Sequence, residues 1–370
     1  MIALIIVLGL VGLTYLFLSY YPPFGKMASK ERLSKYEQSE NFSHKRKFVN
    51  RVPTIMENSF KETVSILIDF IKGNPNGRPK NAIPIEKLKI LDHPNDTQPK
   101  ITWFGHSALL LELDEKRILL DPMFGGAPTP FPIFGIKRYS KGLPFIIEDL
   151  PTIDIVIISH DHYDHLDYGS IRKIKEKVKQ FIVPLGVGSH LEKWGVNPEI
   201  IIELDWWDEL HHEGLKIAST PARHFSGRSL TDRNTTLWCS WVIKGENTKI
   251  FFSGDSGYGP HFKEIGAKYG PFDLTLMECG QYDRRWAAIH MTPEETVQAH
   301  LDVKGKIMIP IHWGAFTLAL HDWTDPIERV TKAAQKERQL GISTPRIGET
   351  VYIDSEDYPR KVWWKYSYKS

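Results

Sequence analysis

Apolar positions along the chain fall into three regimes. Residues 2–18, IALIIVLGLVGLTYLFL, carry no charge and are apolar on every face, and Ser19, Tyr20 and Tyr21 close the run with an aromatic edge. That length sits at the lower end of what spans a bilayer. A signal peptide fits less well, because no Lys or Arg precedes the run and no small-x-small cleavage site is clear. A buried core helix also fits less well, because the run begins at the terminus and has no polar face. The expectation is a membrane anchor over residues 1–21. Residues 22–50 are polar and basic, open on Pro22-Pro23, and read as a linker or loosely packed arm. Residues 51–370 are expected to form one large domain.

Within that domain the period changes twice. From Thr54 to Lys72 the spacing of Val64, Leu67, Phe70 and Ile71 predicts an amphipathic helix, and GNPNGRPKNA at 73–82 predicts a loop. From Ile101 onward the pattern is one of short apolar strands broken by Gly, Pro and Asp. Ile101–Phe104, Ala108–Leu113 and Ile118–Leu120 read as an antiparallel meander, and Ile153–Ser159 as a buried strand. Gly169–Lys179 reads as a helix and Phe181–Pro184 as a strand. Leu215–Thr220, Leu237–Ile243, Lys249–Ser253, Leu274–Met277 and Ile307–Ile311 are further strands. Pro293–Leu301 is a helix with acidic Glu294 and Glu295 in its first turn. Strands with helices between some of them predict an α/β sandwich of two sheets with outer helices. The stretch 122–145 is long and apolar with basic Lys137, Arg138 and Lys141. It reads either as a loop packed on the body or as a substrate or membrane lip.

Composition narrows the partners. Lys+Arg 47 against Asp+Glu 45 leaves a net charge of +2, and no nucleic-acid-binding motif is present, so nucleic acid is not expected as a partner. The two cysteines, Cys239 and Cys279, exclude a disulfide framework and a cysteine-rich zinc site. Any zinc must be held by His and carboxylate. Lys26, Lys30, Arg32 and Lys35 follow the anchor, which by the positive-inside rule places the body on the cytoplasmic side of the membrane.

The chemistry concentrates in Ser159-His160-Asp161-His162-Tyr163-Asp164-His165, directly after a buried strand. Neutral imidazole and carboxylate are zinc donors, and a strand end lets side chains converge on a cleft. One such run cannot close two metal sites. His224 in TPARH, Asp255 after FFSG and His312 after IMIPI each stand where an apolar strand stops, which points to a single cleft.

The order H-x-H-x-D-H, then His, Asp and His resembles the metallo-β-lactamase superfamily over Ile101 to Trp313. The resemblance implies a four-layer αββα sandwich with metals at one edge. It further implies that His160, His162 and His224 hold one zinc, that Asp164, His165 and His312 hold the other, and that Asp255 bridges them. A denser likeness joins TWFGHSALLLELD, DPMFG, ISHDHYDHLDY, VPLGV, IELDWWDE, FSGDSGYGPHFKEIGAKYGPFDL and IHWGAF to the N-acyl-phosphatidylethanolamine-hydrolysing phospholipase D family. That family cleaves its phospholipid into an N-acylethanolamine and phosphatidic acid. Tyr163 and His290 match its substrate contacts, and its members are often dimers, so a homodimer is one expected assembly.

The expected activity is therefore membrane-associated phosphodiester hydrolysis by a hydroxide that two zinc ions activate, with other divalent metals as substitutes. Asp164, Asp255 and His290 are the expected catalytic residues. Asp161 is a candidate for orienting ligand imidazoles. His106 is either a residue of this kind or a structural histidine. Arg284 or Arg285 would either meet an anion or lie on the surface. Cys279 is expected as a small buried residue. Three rivals stand beside this reading: another ester hydrolase on the same scaffold, such as one for a lactone or a small phosphodiester; a tethered protein with a non-catalytic metal site; and a β-lactamase.

Overall fold

A computed structural model describes residues 2–54, 59–88, 97–133, 135–337 and 340–368. The apolar N-terminus forms helix α1 (Ile2–Tyr20), and the side chains described from Ile5 to Phe17 are exposed. Among the described residues no helix is long and apolar enough to cross a membrane, and the expected span is not confirmed.

The arm is more ordered than its composition suggests. It contains helix α2 (Lys30–Tyr36), capped by the Ser29 side chain, and a two-strand ribbon, β1 (Phe42–Ser43) with β2 (Lys47–Phe48). Tyr36 and Phe48 are buried in the main core, because two aromatic side chains outweigh the polar residues around them. The expected amphipathic helix is α3 (Phe60–Lys72), started by a capping box between Ser59 and Glu62. It is shorter than predicted at its N-terminus, and residues 55–58 lie outside the described part of the chain. None of its residues is buried, so its apolar face does not pack on the body.

The first half of the body runs β3 (Lys100–Trp103), β4 (Leu109–Leu113), β5 (Lys116–Leu120), β6 (Ile153–Ile157), α4 (Tyr168–Ile174), β7 (Val178–Pro184), α5 (Gly188–Lys193) and β8 (Ile201–Leu204). The second half runs β9 (Glu209–His212), β10 (Leu215–Pro221), β11 (Cys239–Lys244), β12 (Lys249–Phe252), α6 (His261–Lys268), β13 (Phe272–Glu278), α7 (Pro293–Asp302), β14 (Gly305–Ile311), α8 (Asp325–Ala334) and β15 (Gly341–Ile342). The last strand, β16 (Thr350–Tyr352), returns to pair with β3. Two seven-stranded sheets result, ordered β16-β3-β4-β5-β6-β7-β8 and β15-β14-β13-β12-β11-β10-β9. The meander β3-β4-β5 is antiparallel as expected, while β5-β6-β7-β8 and β12-β13-β14-β15 are parallel.

Strand pleating separates the layers. On the first sheet Leu109, Leu111, Ile118, Leu120, Ile155 and Ile157 face the core shared with the second sheet. Their neighbours Leu110, Leu119 and Val156 face the opposite way, onto Ile171 and Ile174 of α4 and Leu191 of α5. Phe262 of α6, Val297 of α7 and Ile327 of α8 cover the second sheet. This is the αββα order expected. The helix predicted over Gly169–Lys179 ends early, since Val178 already pairs with Ile153 and opens β7. The stretch 122–145 has no helix or strand among its described residues; Arg138 is buried there, donating to Met123 O at 2.7 Å, while Ile133 is 84% exposed.

The two sheets are stitched where the ligand run emerges. Trp241 of β11, fully buried, donates from Nε1 to Ile158 O at 3.0 Å, and Cys239 N donates to Ser159 O at 3.0 Å. Trp241→Ala is therefore expected to destabilise the fold by about 3–5 kcal/mol through the lost ring volume. Trp241→Phe, which loses mainly the hydrogen bond, should cost about 1–2 kcal/mol. Denaturant unfolding of the two variants checks the order.

Candidate metal centre

Each expected ligand follows a strand at one edge of the sandwich. His160 comes after β6, His224 after β10, Asp255 after β12 and His312 after β14. Because β5-β6 and β12-β13-β14 are parallel pairs, their C-terminal ends open on the same side. The turns that deliver the side chains are strained. His312 has φ 65°, His106 φ 56° and Asp121 φ 39°, left-handed values that cost a non-glycine residue about 1–3 kcal/mol each. Gly254, at φ 54°, precedes Asp255, and a Cβ there would stand 2.7 Å from Ser159 Cβ, so only glycine fits.

The ligand atoms converge in two groups. His160 Nε2 lies 2.9 Å from His162 Nδ1, and His224 Nε2 lies 3.2 Å from the same nitrogen. In the other group, Asp164 Oδ2 is 3.4 Å from His165 Nε2 and 3.3 Å from His312 Nε2. Asp255 Oδ2 belongs to both: it is 3.1 Å from His165 Nε2, 3.2 Å from His312 Nε2 and 3.8 Å from both His160 Nε2 and His224 Nε2. Donors at zinc–nitrogen distance in a tetrahedral shell stand about 3.4 Å apart, close to these separations. Asp255 Oδ1 and His165 Nε2 are buried without a hydrogen-bond partner among the described residues. Imidazole and carboxylate donors closing on two points, with shared Asp255 between them, fit two divalent metal ions.

Burial and mutual charge act in opposite directions on the ligand groups. Burial, reinforced by neighbouring imidazoles, holds His160 well below the usual histidine range, and burial also lowers His162 and His224. Burial opposes the charge on His165 and His312 too, but it is outweighed. Asp255, Asp164 and Asp121 raise His165 well above the ordinary value, and Asp255, Asp164 and Glu278 raise His312 to about 10. For Asp164 and Asp255, burial favours the neutral acid, yet the surrounding imidazoles hold both well below the carboxylate range.

A further ring of residues orients the ligands, and the sequence reading missed part of it. Asp121, after β5, lies 2.6 Å from His165 Nδ1 and accepts from Ser159 N at 2.7 Å and Ser159 Oγ at 2.5 Å. Glu278, at the end of β13, lies 2.9 Å from His290 Nδ1 and 3.3 Å from His312 Nδ1. The same strand-end position that marks the ligands marks both, in ILLD and LTLME. His106 Nε2 is 2.8 Å from Asp164 Oδ2, which resolves its two readings in favour of a residue that holds a ligand carboxylate. Asp161 turns elsewhere: it accepts from Gly227 N at 2.8 Å and Thr236 Oγ1 at 2.9 Å and lies 3.3 Å from His190 Nε2, so it braces the loop instead of a ligand ring.

The expected substrate contacts divide. His290 is buried beside the ligands, with its ring centre 5.1 Å from those of His224 and His312. Tyr163 Oη donates to Arg228 O at 2.5 Å, and its ring lines a cavity of about 340 Å³ with Pro23, Phe124, Ala127 and Tyr168. Arg285 is held by Asp283 and Asp69 at 2.8 Å each. Both cysteines are free and buried.

Comparison with known proteins agrees with this geometry. A family model described as the beta-lactamase superfamily domain matches residues 116–313. An uncharacterized protein of Mycobacterium tuberculosis is 41% identical over 320 residues, 85% of each chain. An N-acyl-phosphatidylethanolamine-hydrolyzing phospholipase D of Caenorhabditis elegans is 32% identical over 286 residues, 73% of this chain and 80% of that one. Among solved structures, the metallo hydrolase Igni18 of Ignicoccus hospitalis superposes with a TM-score of 0.54 at 23% identity, over 69% of this chain and 98% of that one.

Two outcomes follow from the charge pattern. Zinc titrated into metal-free protein near neutral pH should release about two protons per chain, because ligand imidazoles must be neutral to bind metal. Calorimetry in buffers of different ionisation enthalpy measures this. Asp121→Asn should weaken metal affinity about 10–100-fold while leaving the far-ultraviolet circular dichroism unchanged.

Proposed function

The chain belongs to the metallo-β-lactamase superfamily and is a metal-dependent hydrolase, and from that premise we propose a two-metal phosphodiesterase of the phospholipase D type. Its substrate is N-acyl-phosphatidylethanolamine and its products are N-acylethanolamine and phosphatidic acid. The observation that carries the reading is the pair of donor groups sharing Asp255 Oδ2, with His290 buried against them. Two adjacent divalent sites match in-line displacement at phosphorus better than a single site does.

His160, His162 and His224 would hold one zinc, Asp164, His165 and His312 the other, and Asp255 both. When bound, the metals supply Lewis acidity, which makes water nucleophilic near neutral pH and draws charge from the phosphoryl oxygens. The chain supplies the rest. Asp121 and His106 fix His165 and Asp164, so the donors are oriented before substrate arrives. Glu278 holds His290 by Nδ1, leaving Nε2 to take or give a proton at the phosphate or the leaving oxygen. Tyr163 offers its ring to the substrate's organic portion.

A lipid substrate accords with the apolar surface. Helix α1 exposes Ile5, Leu8, Leu13 and Tyr15, α3 exposes Phe60, Leu67 and Ile71, and the lip exposes Ile133. Patches of this kind suit a membrane interface. Basic Lys26, Lys30 and Lys35 beside α1 favour contact with the cytoplasmic leaflet.

Incubation of the zinc-loaded protein with N-acyl-phosphatidylethanolamine, followed by mass spectrometry, tests the assigned bond. N-Acylethanolamine and phosphatidic acid are expected; fatty acid or diacylglycerol would overturn it. Turnover of a lactone or a small phosphodiester with no lipid turnover would move the substrate to another ester. His290→Ala should lower kcat about 10²–10⁴-fold with metal content at the parental level.

A further inference from the structure

The segment joining α1 to α2 is bonded to α5 and its C-cap, and through His190 of α5 to Asp161 in the run that carries the ligands. Trp194 Nε1 donates to Pro22 O at 2.8 Å, and Lys193 Nζ donates to Gly25 O at 2.6 Å and Ser19 O at 3.1 Å. Lys26 N donates to His190 Nδ1 at 2.9 Å, and the opposite nitrogen of that ring lies 3.3 Å from Asp161 Oδ2. The fit is close: a Cβ on Gly25, at φ 72°, would stand 2.0 Å from His190 Nδ1.

Arg228 is the centre of this arrangement. It is 3% exposed. Its Nε donates to Pro23 O at 2.9 Å, and its Nη1 donates to Leu166 O at 2.8 Å and also to Asp161 O. One guanidinium thus bonds the N-terminal segment and two points that bracket the ligands from His162 to His165. It lies 4.1 Å from the Tyr163 ring centre and 5.1 Å from that of Trp194, while its own carbonyl accepts the Tyr163 hydroxyl. Planar, multiply donating contacts of this kind are specific to arginine. Outside the latch, α1 is seated by rings: Phe131 stands 6.1 Å from Phe17 and 5.4 Å from Tyr21, and Tyr21 Oη donates to Pro130 O at 2.7 Å.

We propose that Arg228 is a positioning residue that ties Tyr163 and the ligand loop to the segment after α1, so that the seating of α1 sets the order of the metal centre. The helix that offers an apolar surface outward is then a working part of the site, and a membrane that takes hold of α1 acts on Tyr163 through Arg228. The kinetic half of the test rests on the hydrolase reading above; the exchange half does not.

Three variants of the full chain separate the possibilities: Arg228→Met, Arg228→Lys, and the double change Lys193→Met with Trp194→Phe. Hydrogen–deuterium exchange over residues 160–168 is read first. Exchange should quicken about tenfold in Arg228→Met, less in Arg228→Lys, and also in the double variant, which leaves Arg228 in place. On bis(p-nitrophenyl) phosphate, Arg228→Met should lose up to about 10²-fold in kcat, with KM and metal content near parental, and Arg228→Lys should recover part of the loss. Parental exchange in the double variant would overturn the proposal, including where Arg228→Met fails to fold. A parent protein inactive on every diester would overturn the hydrolase reading, and the exchange result would still decide the latch.

Discussion

The placement of five imidazoles and two carboxylates within a few ångströms of one another, inside an apolar interior, is the constraint to which the rest of the fold answers. Ionised groups taken from water lose solvation that only a partner charge or a metal returns. The chain answers with paired opposites. Asp121 faces His165, Glu278 faces both His290 and His312, and His106 faces Asp164. The surplus is concentrated at Asp255, which four ligand imidazoles approach. A cluster so arranged suits the binding of metal cations.

The scaffold bears that cost through rigidity. Both sheets end at the site, and backbone bonds cross between them on either side of it. Cys239 N reaches Ser159 O on one side, and His312 N reaches His106 O on the other, each at 3.0 Å. These bonds hold His106 and His312 in left-handed conformations that isolated turns would abandon. Core burial by Trp103, Trp238 and Trp241 backs the same edge. Metal geometry thereby becomes a property of two packed sheets and not of one flexible loop.

The N-terminal region changes meaning in this setting. Composition suggests an anchor followed by a passive linker. The folded chain shows an exposed apolar helix and an arm whose Tyr36 and Phe48 belong to the main core. Arg228 reaches Pro23 on this arm and Asp161 on the ligand run with the same guanidinium. The N-terminal segment and the ligand run are thus joined through backbone carbonyls, a link that no local pattern encodes.

Much of the centre was legible in the sequence because its logic is local. A buried strand sets His160 at its end, and the repeat of that placement at His224, Asp255 and His312 marks one cleft, since parallel strands open their C-terminal ends together. The meander and the αββα order follow from alternation of apolar positions, which the pleat converts into two faces. Other features depend on distance in space between residues far apart in the chain. Asp121 and Glu278 look like ordinary strand ends until the sheets pack and bring them to His165 and His290. Asp161, inside the ligand run, turns toward Thr236 and Gly227 because the neighbouring loop offers it donors there. The direction of Tyr163 and the engagement of the arm were likewise decided by Arg228, whose partners lie in segments that only the tertiary fold makes adjacent.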